Sequence, residues 1–214
     1  MTSTGTRSAL DRELQIVRDQ ILRMGSLVDQ AIERAYDAIK RHDSSLAQLV
    51  INDDKNINEL RNKSEHEVTS TMALQQPLAH DLRVLIASLM ISNELERMAD
   101  HCVGIARTVL RYEGQPNFDL PVQIADMADI LRRMLRQSLD AYIEEDVPTA
   151  QQAAQLDDRI DALYHDLFSQ IVKKMSTGEC SVERGTYVLW AGHNLERIGD
   201  RVTNICERAI YTST

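Results

Sequence analysis

The sequence Leu-Glu-Arg-x-x-Asp occurs twice in this chain of 214 residues, and each copy carries two acids one helical turn apart. Glu96 and Asp100 belong to the first copy, and Glu196 and Asp200 belong to the second. Side chains four residues apart on a helix project from the same face. Because like charges at this spacing repel, each pair requires neighbouring cations or a shared ligand.

A second pair of acids lies on the helix predicted to precede the second copy. Asp157 and Asp161 have the same spacing of four. In a regular antiparallel hairpin, Asp157 is level with Asp200 and Asp161 is level with Glu196. Helices packed in this way lie about 8 to 10 Å apart, so the sequence predicts that the four carboxylates converge.

The first copy repeats this arrangement with one change. Asp54 is level with Asp100, but Asn58 replaces the acid level with Glu96. Carboxylates on facing helices can share hard or borderline cations, as in the di-metal sites of helical bundles. We therefore expect two metal sites, of which the first is weaker or holds fewer ions. The candidate ligands are Asp54, Glu96, Asp100, Asp157, Asp161, Glu196 and Asp200.

Two other interpretations of these acids stay open. The carboxylates could form a solvated acidic face, with neighbouring arginines in weak surface ion pairs. Alternatively, His165 and His193, on the same predicted face, could complete the site of a di-metal carboxylate enzyme or metal-storage protein. Asn62 and Asn93 stand at the matching positions of the first copy, so the histidines are not part of the repeated pattern.

The acids must be positioned by long helices. Apolar residues spaced three and four apart predict a first helix, and Asp43 is a predicted N-cap for a second helix that ends near Gln75. Pro77 is predicted in the first turn of a third helix, which continues to about Arg111. YEGQPNFDLP, residues 112–121, then ends the helical pattern.

The second half of the chain repeats this plan. Helices are predicted over residues 122–145 and 148–175, and a last helix is predicted to end near Tyr211. DAIKRHD from Asp37 matches DAYIEED from Asp140 at an offset of 103 residues. We therefore predict an all-α fold of six helices, arranged as two tandem three-helix bundles over residues 1–113 and 118–214.

Composition excludes several classes of function. A net charge of -9 argues against nucleic acid as a partner, and no apolar run approaches the roughly 20 residues of a membrane-spanning helix. We expect neither export nor membrane insertion. No thiolate zinc motif, phosphate-binding glycine loop or nucleophile elbow occurs. The three cysteines are predicted to be helix residues in a reducing cytoplasm, and Trp190 is predicted to lie in the core.

The two longest matching segments carry a resemblance to a known family. QPLAHDLRVLIASLMISNELERMADHCVGIA and NLERIGDRVTNICERAIY closely resemble the PhoU family of phosphate-signalling regulators, and the resemblance covers essentially the whole chain. It implies two three-helix bundles related by a pseudo-twofold axis, a homodimer or larger oligomer, and no enzymatic activity. It also implies a cytoplasmic negative regulator of the phosphate-starvation response, which links the ATPase subunit of the phosphate-specific ABC transporter to a sensor histidine kinase.

The resemblance also bears on the repeated acids. Some family members hold multinuclear iron or other cations on E/D-x-x-x-D motifs. In this sequence those motifs are Glu96 with Asp100, Asp157 with Asp161, and Glu196 with Asp200. The expected cofactor is therefore a set of metal ions, with iron, zinc, manganese, nickel and magnesium as the candidates.

Overall fold

All regular structure in the described part of the chain is α-helical. The computed structural model describes residues 3–112 and 119–213, with side chains described from residue 9 onward. The helices of the first repeat are α1 Ser3–Arg41, α2 Ser44–Gln75 and α3 Ala79–Arg111. The helices of the second repeat are α4 Val122–Glu144, α5 Val147–Gln155, α6 Asp157–Ser176 and α7 Val182–Thr212.

The predicted all-α fold and the two sets of three helices are confirmed, because α5 and α6 together form the second helix of the second repeat. The predicted repeat boundaries, residues 113 and 118, lie outside the described residues. Most of the predicted break over residues 112–121 lies outside them too.

Equivalent residues cap the second helix of each repeat. The side chain of Asp43 accepts a hydrogen bond from the N–H of Leu46 at 2.9 Å, which confirms the predicted cap. Asp146, at the matching position, accepts from the N–H of Thr149 at 3.1 Å. Each carboxylate satisfies a backbone donor that the first helical turn would otherwise leave without a partner.

Two predicted features of the helices are wrong. Pro77 is not in the first turn of α3, because Gln76 ends α2 in the left-handed region (φ 47°, ψ 55°) and Leu78 is the extended N-cap of α3. The helix predicted over residues 148–175 is interrupted at Leu156. The N–H of Leu156 bonds to Ala153 O at 3.1 Å, three residues back, which tightens the chain locally into a 3₁₀ turn.

The two repeats share one hydrophobic core. Its fully buried members come from both repeats and include Leu95 and Met98 of α3 and Leu195 and Ile198 of α7. The most extensive contact between helices is that of α3 with α7. The third helices, α3 and α7, therefore form the centre of the molecule. The second helix of each repeat packs on the side of its third helix that faces away from the other repeat.

Polar contacts between α3 and α7 show the pseudo-twofold relation directly. Arg201 Nη1 lies 3.5 Å from Glu94 Oε2. The matching residues, His101 and Asn194, are joined by a hydrogen bond of 3.1 Å between Nδ1 and Oδ1. Each contact therefore has its symmetry mate, although the residue types differ.

Trp190 is not a core residue, contrary to the prediction from sequence. Its side chain is 54% exposed, because Val188 and Ala191 form the buried stripe of α7 and Trp190 lies off that stripe. Cys180 is also misplaced by the sequence prediction, since it lies in the turn between α6 and α7 rather than in a helix. Among the helices of the described ranges, none is both long and apolar enough to cross a membrane.

Candidate metal centres

The structure brings the four predicted acids of the second repeat to one place. Asp157 begins α6 and Asp161 follows one turn later, while Glu196 and Asp200 lie on α7. Burial is the main reason that the pKa of Asp157 rises to about 6, and the charges of Asp161, Asp200 and Glu196 add to the rise. The carboxylates on the two helices therefore act on one another electrostatically.

The two carboxylate oxygens of Asp157 have different surroundings. Oδ2 accepts a hydrogen bond from Thr203 Oγ1 at 3.2 Å. Oδ1 is buried and has no hydrogen-bond partner among the described residues. A Cβ atom added to Gly199 would collide with this oxygen, so the glycine allows the carboxylate to lie against the backbone of α7. A buried oxygen without a donor is costly unless a cation or water reaches it.

Arg197 neutralises part of the second site. Its Nη1 lies 2.8 Å from Asp200 Oδ2, and its Nε lies 3.4 Å from Glu196 Oε2. His193 Nδ1 lies 3.4 Å from the same Glu196 oxygen. Burial raises the pKa of Glu196, and the Arg197 charge opposes that rise. The arginine thus contacts the carboxylate oxygens that a metal ion would use.

The first repeat brings its three predicted acids together in the same way. Burial raises the pKa values of Asp54 and Glu96, and the charge of Asp100 raises both further. Asn58 Nδ2 donates to Asp54 Oδ2 at 2.8 Å. The asparagine therefore supplies a hydrogen-bond donor where the second repeat has an acid, which reduces the negative charge of this site.

The feature common to both sites is a half-buried aspartate with one fully buried oxygen. Asp54 and Asp157 occupy matching positions, and Oδ1 of each is buried without a hydrogen-bond partner in the part of the chain described. The donor to the other oxygen differs, since Asn58 lies on the same helix as Asp54 whereas Thr203 lies on the facing helix of Asp157. Both repeats therefore have an aspartate Oδ1 without a hydrogen-bond partner among the described residues, but the residue that donates to Oδ2 differs between them.

The chemistry of these donors fits a hard or borderline cation, but the ligands are not pre-assembled. Within residues 3–112 and 119–213, no group of three or more His, Cys, Asp or Glu side chains is arranged so that it could hold a metal ion. Arg197 and Asn58 contact the carboxylates instead. A metal ion at the second site would therefore require Arg197 to change rotamer, and one at the first site would require Asn58 to do so. The carboxylates that these side chains contact would have to turn towards the ion.

Sequence reasoning missed two residues that shape the second site. Thr203 lies seven residues after Glu196, two helical turns along the same face, and this spacing could have identified it. Gly199 replaces Ala99 of the first repeat, a difference visible in the aligned repeats. Of the two predicted histidines, His193 contacts Glu196, whereas His165 is exposed on α6.

These features define a class of protein. The chain is a tandem repeat of three-helix bundles joined through their third helices, and each repeat carries a helix hairpin lined with acids. The PhoU domain matches residues 21–109 and 124–209, which are most of the two repeats. The chain belongs to the PhoU family.

Individual relatives support this assignment over nearly the full length. A Clostridium acetobutylicum protein described as a phosphate-specific transport system accessory protein PhoU homolog is 34% identical over 210 residues, covering 98% of this chain and 96% of that protein. A Streptococcus pneumoniae relative with the same description is 34% identical over 208 residues, covering 97% and 96%.

Solved structures show the same fold. The crystal structure of the phosphate transport system regulatory protein PhoU from Streptococcus pneumoniae matches with a TM-score of 0.89 and 33% identity, covering 96% of this chain and 97% of that one. PhoU from Pseudomonas aeruginosa matches with a TM-score of 0.89 and 32% identity, covering 94% and 97%.

Proposed function

We propose that this chain regulates phosphate uptake and represses the phosphate-starvation response. The observation that carries the proposal is the match of both repeats, over almost the whole chain, to relatives described as accessory or regulatory proteins of phosphate transport. Those descriptions name no reaction, which agrees with a regulator that is not an enzyme.

The finer features of the proposed role rest on the family resemblance. The chain acts in the cytoplasm as a homodimer and links the ATPase subunit of the phosphate-specific ABC transporter to a sensor histidine kinase. Its net charge of -9 supports protein partners over nucleic acid.

Deletion of the gene tests the regulatory proposal. Cells without the protein, grown with excess phosphate, should show raised expression of a starvation-inducible reporter and raised uptake of radiolabelled phosphate. Complementation with the wild-type gene is the matched control and should restore repression. Unchanged expression and uptake in the deletion strain would contradict the proposal.

Metal binding is a separate part of the proposal. Asp157, Asp161, Glu196 and Asp200 would hold metal ions at the second site, with Asp54, Glu96 and Asp100 at the weaker first site. Support comes from the carboxylates brought together and from the buried free oxygen in each repeat. Bound metal supplies positive charge that offsets carboxylate repulsion, so Mn²⁺, Zn²⁺ or Fe²⁺ added to chelator-treated protein should raise its Tm.

A second candidate function is a di-metal carboxylate enzyme or metal store. One observation favours it: His193 lies 3.4 Å from Glu196, so an imidazole can join the carboxylates. Oxygen consumption by iron-loaded protein separates the two functions. Sustained turnover that His193→Ala abolishes would favour the enzyme, whereas a regulator should show no turnover.

A further inference from the structure

Opposite charges occupy matching positions of the two repeats where α1 packs against α4. At the repeat offset of 103, Asp29 corresponds to Arg132 and Glu33 corresponds to Arg136. The first repeat therefore presents two acids one helical turn apart, and the second repeat presents two arginines. Residues at matching positions face one another here because the pseudo-twofold axis passes between the two helices.

The four side chains form one ion-pair network between the repeats. Arg132 donates to both carboxylate oxygens of Asp29 at 2.9 Å, and its Nη1 donates to Glu33 Oε1 at 2.8 Å. Arg136 Nη1 lies 3.5 Å from Asp29 Oδ1. The Asp29 and Arg132 side chains are only 19% and 23% exposed, so the fork-shaped contact between them is partly shielded from solvent.

Either repeat paired with its own kind would lose this network. Two first repeats would place Asp29 and Glu33 against the same two acids, and two second repeats would place Arg132 and Arg136 against the same two arginines. Like charges in contact are unfavourable, and specific interfaces use such repulsion against wrong partners. The charges therefore distinguish mixed pairing from like-with-like pairing.

Side-chain size gives the same preference at the next contact of this interface. Gly25 of α1 receives Leu139 of α4, and a Cβ atom at Gly25 would collide with the leucine. The second repeat has Ala128 at the position of Gly25. Two second repeats would therefore press Leu139 onto the methyl group of an alanine, whereas in the mixed pair Leu139 packs against a glycine that has no side chain.

We propose that the α1–α4 face is a recognition surface that accepts only the other repeat as its partner and rejects a second copy of the same repeat. Asp29, Glu33, Arg132 and Arg136 carry this selectivity. This selectivity is separate from the proposed metal binding, because none of these residues belongs to the acidic sites.

Charge reversal in the full-length chain tests the proposal. Asp29→Arg/Glu33→Arg reproduces the charges of two second repeats in contact, and Arg132→Asp/Arg136→Glu reproduces those of two first repeats. Denaturant unfolding at low salt should show at least about a tenfold loss in the folded-to-unfolded ratio for each. The variant with all four changes should regain most of the lost stability, because the same ion pairs form with their signs exchanged. The stability differences between the variants and wild type should be smaller in 1 M NaCl.

Net charge alone predicts a different result. The reversals change the net charge from -9 to -5 and -13, so a general charge effect would stabilise one variant and destabilise the other. Arg133→Asp reverses one charge at the exposed residue next to Arg132. This variant is the control for position and should have little effect. Opposite shifts for the two reversals, or no recovery in the four-residue variant, would overturn the proposal.

Neutral substitutions cover the case in which the reversed variants do not fold. Asp29→Asn/Glu33→Gln and Arg132→Gln/Arg136→Gln each leave one half of the network charged. Neutralising either pair in wild type should cost more stability than neutralising the same pair in the variant whose other pair is already neutral. Such a difference is the mark of coupled groups. Strictly additive losses would contradict the selectivity assigned to these residues.

Discussion

Asp157→Asn is expected to stabilise the metal-free protein at neutral pH while weakening metal binding. The pKa of Asp157 is raised to about 6, mainly by burial, so the folded protein disfavours the charged carboxylate at pH 7. Asparagine has nearly the same shape and can still accept the hydrogen bond from Thr203, but it carries no charge. The substitution therefore removes the cost of burying an ionised carboxylate and, to a smaller extent, its repulsion from the acidic neighbours.

The size of the effect follows from the shift in pKa. A rise from 3.8 to about 6 corresponds to about 3 kcal/mol, and solvent screening of a half-buried group reduces this to about 1–2 kcal/mol. Because the pKa is higher in the folded state, the stabilising contribution of the protonated group is complete below pH 3.8 and is lost as the pH rises through about 6. The advantage of Asp157→Asn should therefore be greatest above pH 6 and fade towards pH 4.

Thermal unfolding with a chelator present measures the effect. At pH 7.5 the Asp157→Asn variant should melt about 2–8 °C above wild type. Added metal should reverse the order, because only wild type retains all four proposed ligands. Asp158→Asn, which removes the same charge from an exposed neighbour, is the control and should change little. An Asp157→Asn protein that is less stable than wild type in chelator, or that has the pH profile of the control, would refute the reasoning.

Three further perturbations test other parts of the structure. Gly199→Ala should lower the free energy of unfolding by about 1–3 kcal/mol, measured in urea, because its methyl group would collide with the Asp157 carboxylate. Asn58→Asp should destabilise the metal-free protein by about 1 kcal/mol, through loss of a hydrogen bond, and should raise the metal content of the loaded protein. A thiol reagent should modify Cys180 quickly in native protein and Cys206 slowly, because burial raises the pKa of Cys206 to about 12.

Each of these perturbations has a contradicting outcome. Unchanged stability of Gly199→Ala would mean that the Asp157 carboxylate is free to move away from α7. An equal metal content in Asn58→Asp and wild type would show that the asparagine does not limit the first site. Equal rates of modification for Cys180 and Cys206 would show that α7 opens readily.

Sequence alone could predict the helices and the acids that face each other, because both depend on local periodicity. Asp43 caps α2 as its residue type predicts, and Asp157 interacts with Asp200 as the hairpin geometry requires. These features need only a regular helix and its antiparallel neighbour. The offset between matching segments then predicts that the second half of the chain forms a bundle like the first.

The features that sequence did not predict depend on tertiary packing. The interruption at Leu156 and the exposure of Trp190 arise from how each helix lies on the core. Thr203 supports Asp157 from the opposite helix, and Arg132 contacts Asp29 from the other repeat. No periodicity within one helix specifies such contacts.

Elemental analysis of purified protein is the most direct test of the repeated acids as metal sites. The protein should be prepared without a metal-binding affinity tag, beside Glu196→Ala/Asp200→Ala and a control, Asp158→Ala/Asp166→Ala, that removes two exposed acids of α6. Wild type and the control should contain stoichiometric metal, and the Glu196→Ala/Asp200→Ala protein should have lost the larger share. Folded wild-type protein without metal, and with stability equal to that of the variant, would show that the acids form a charged surface rather than metal sites.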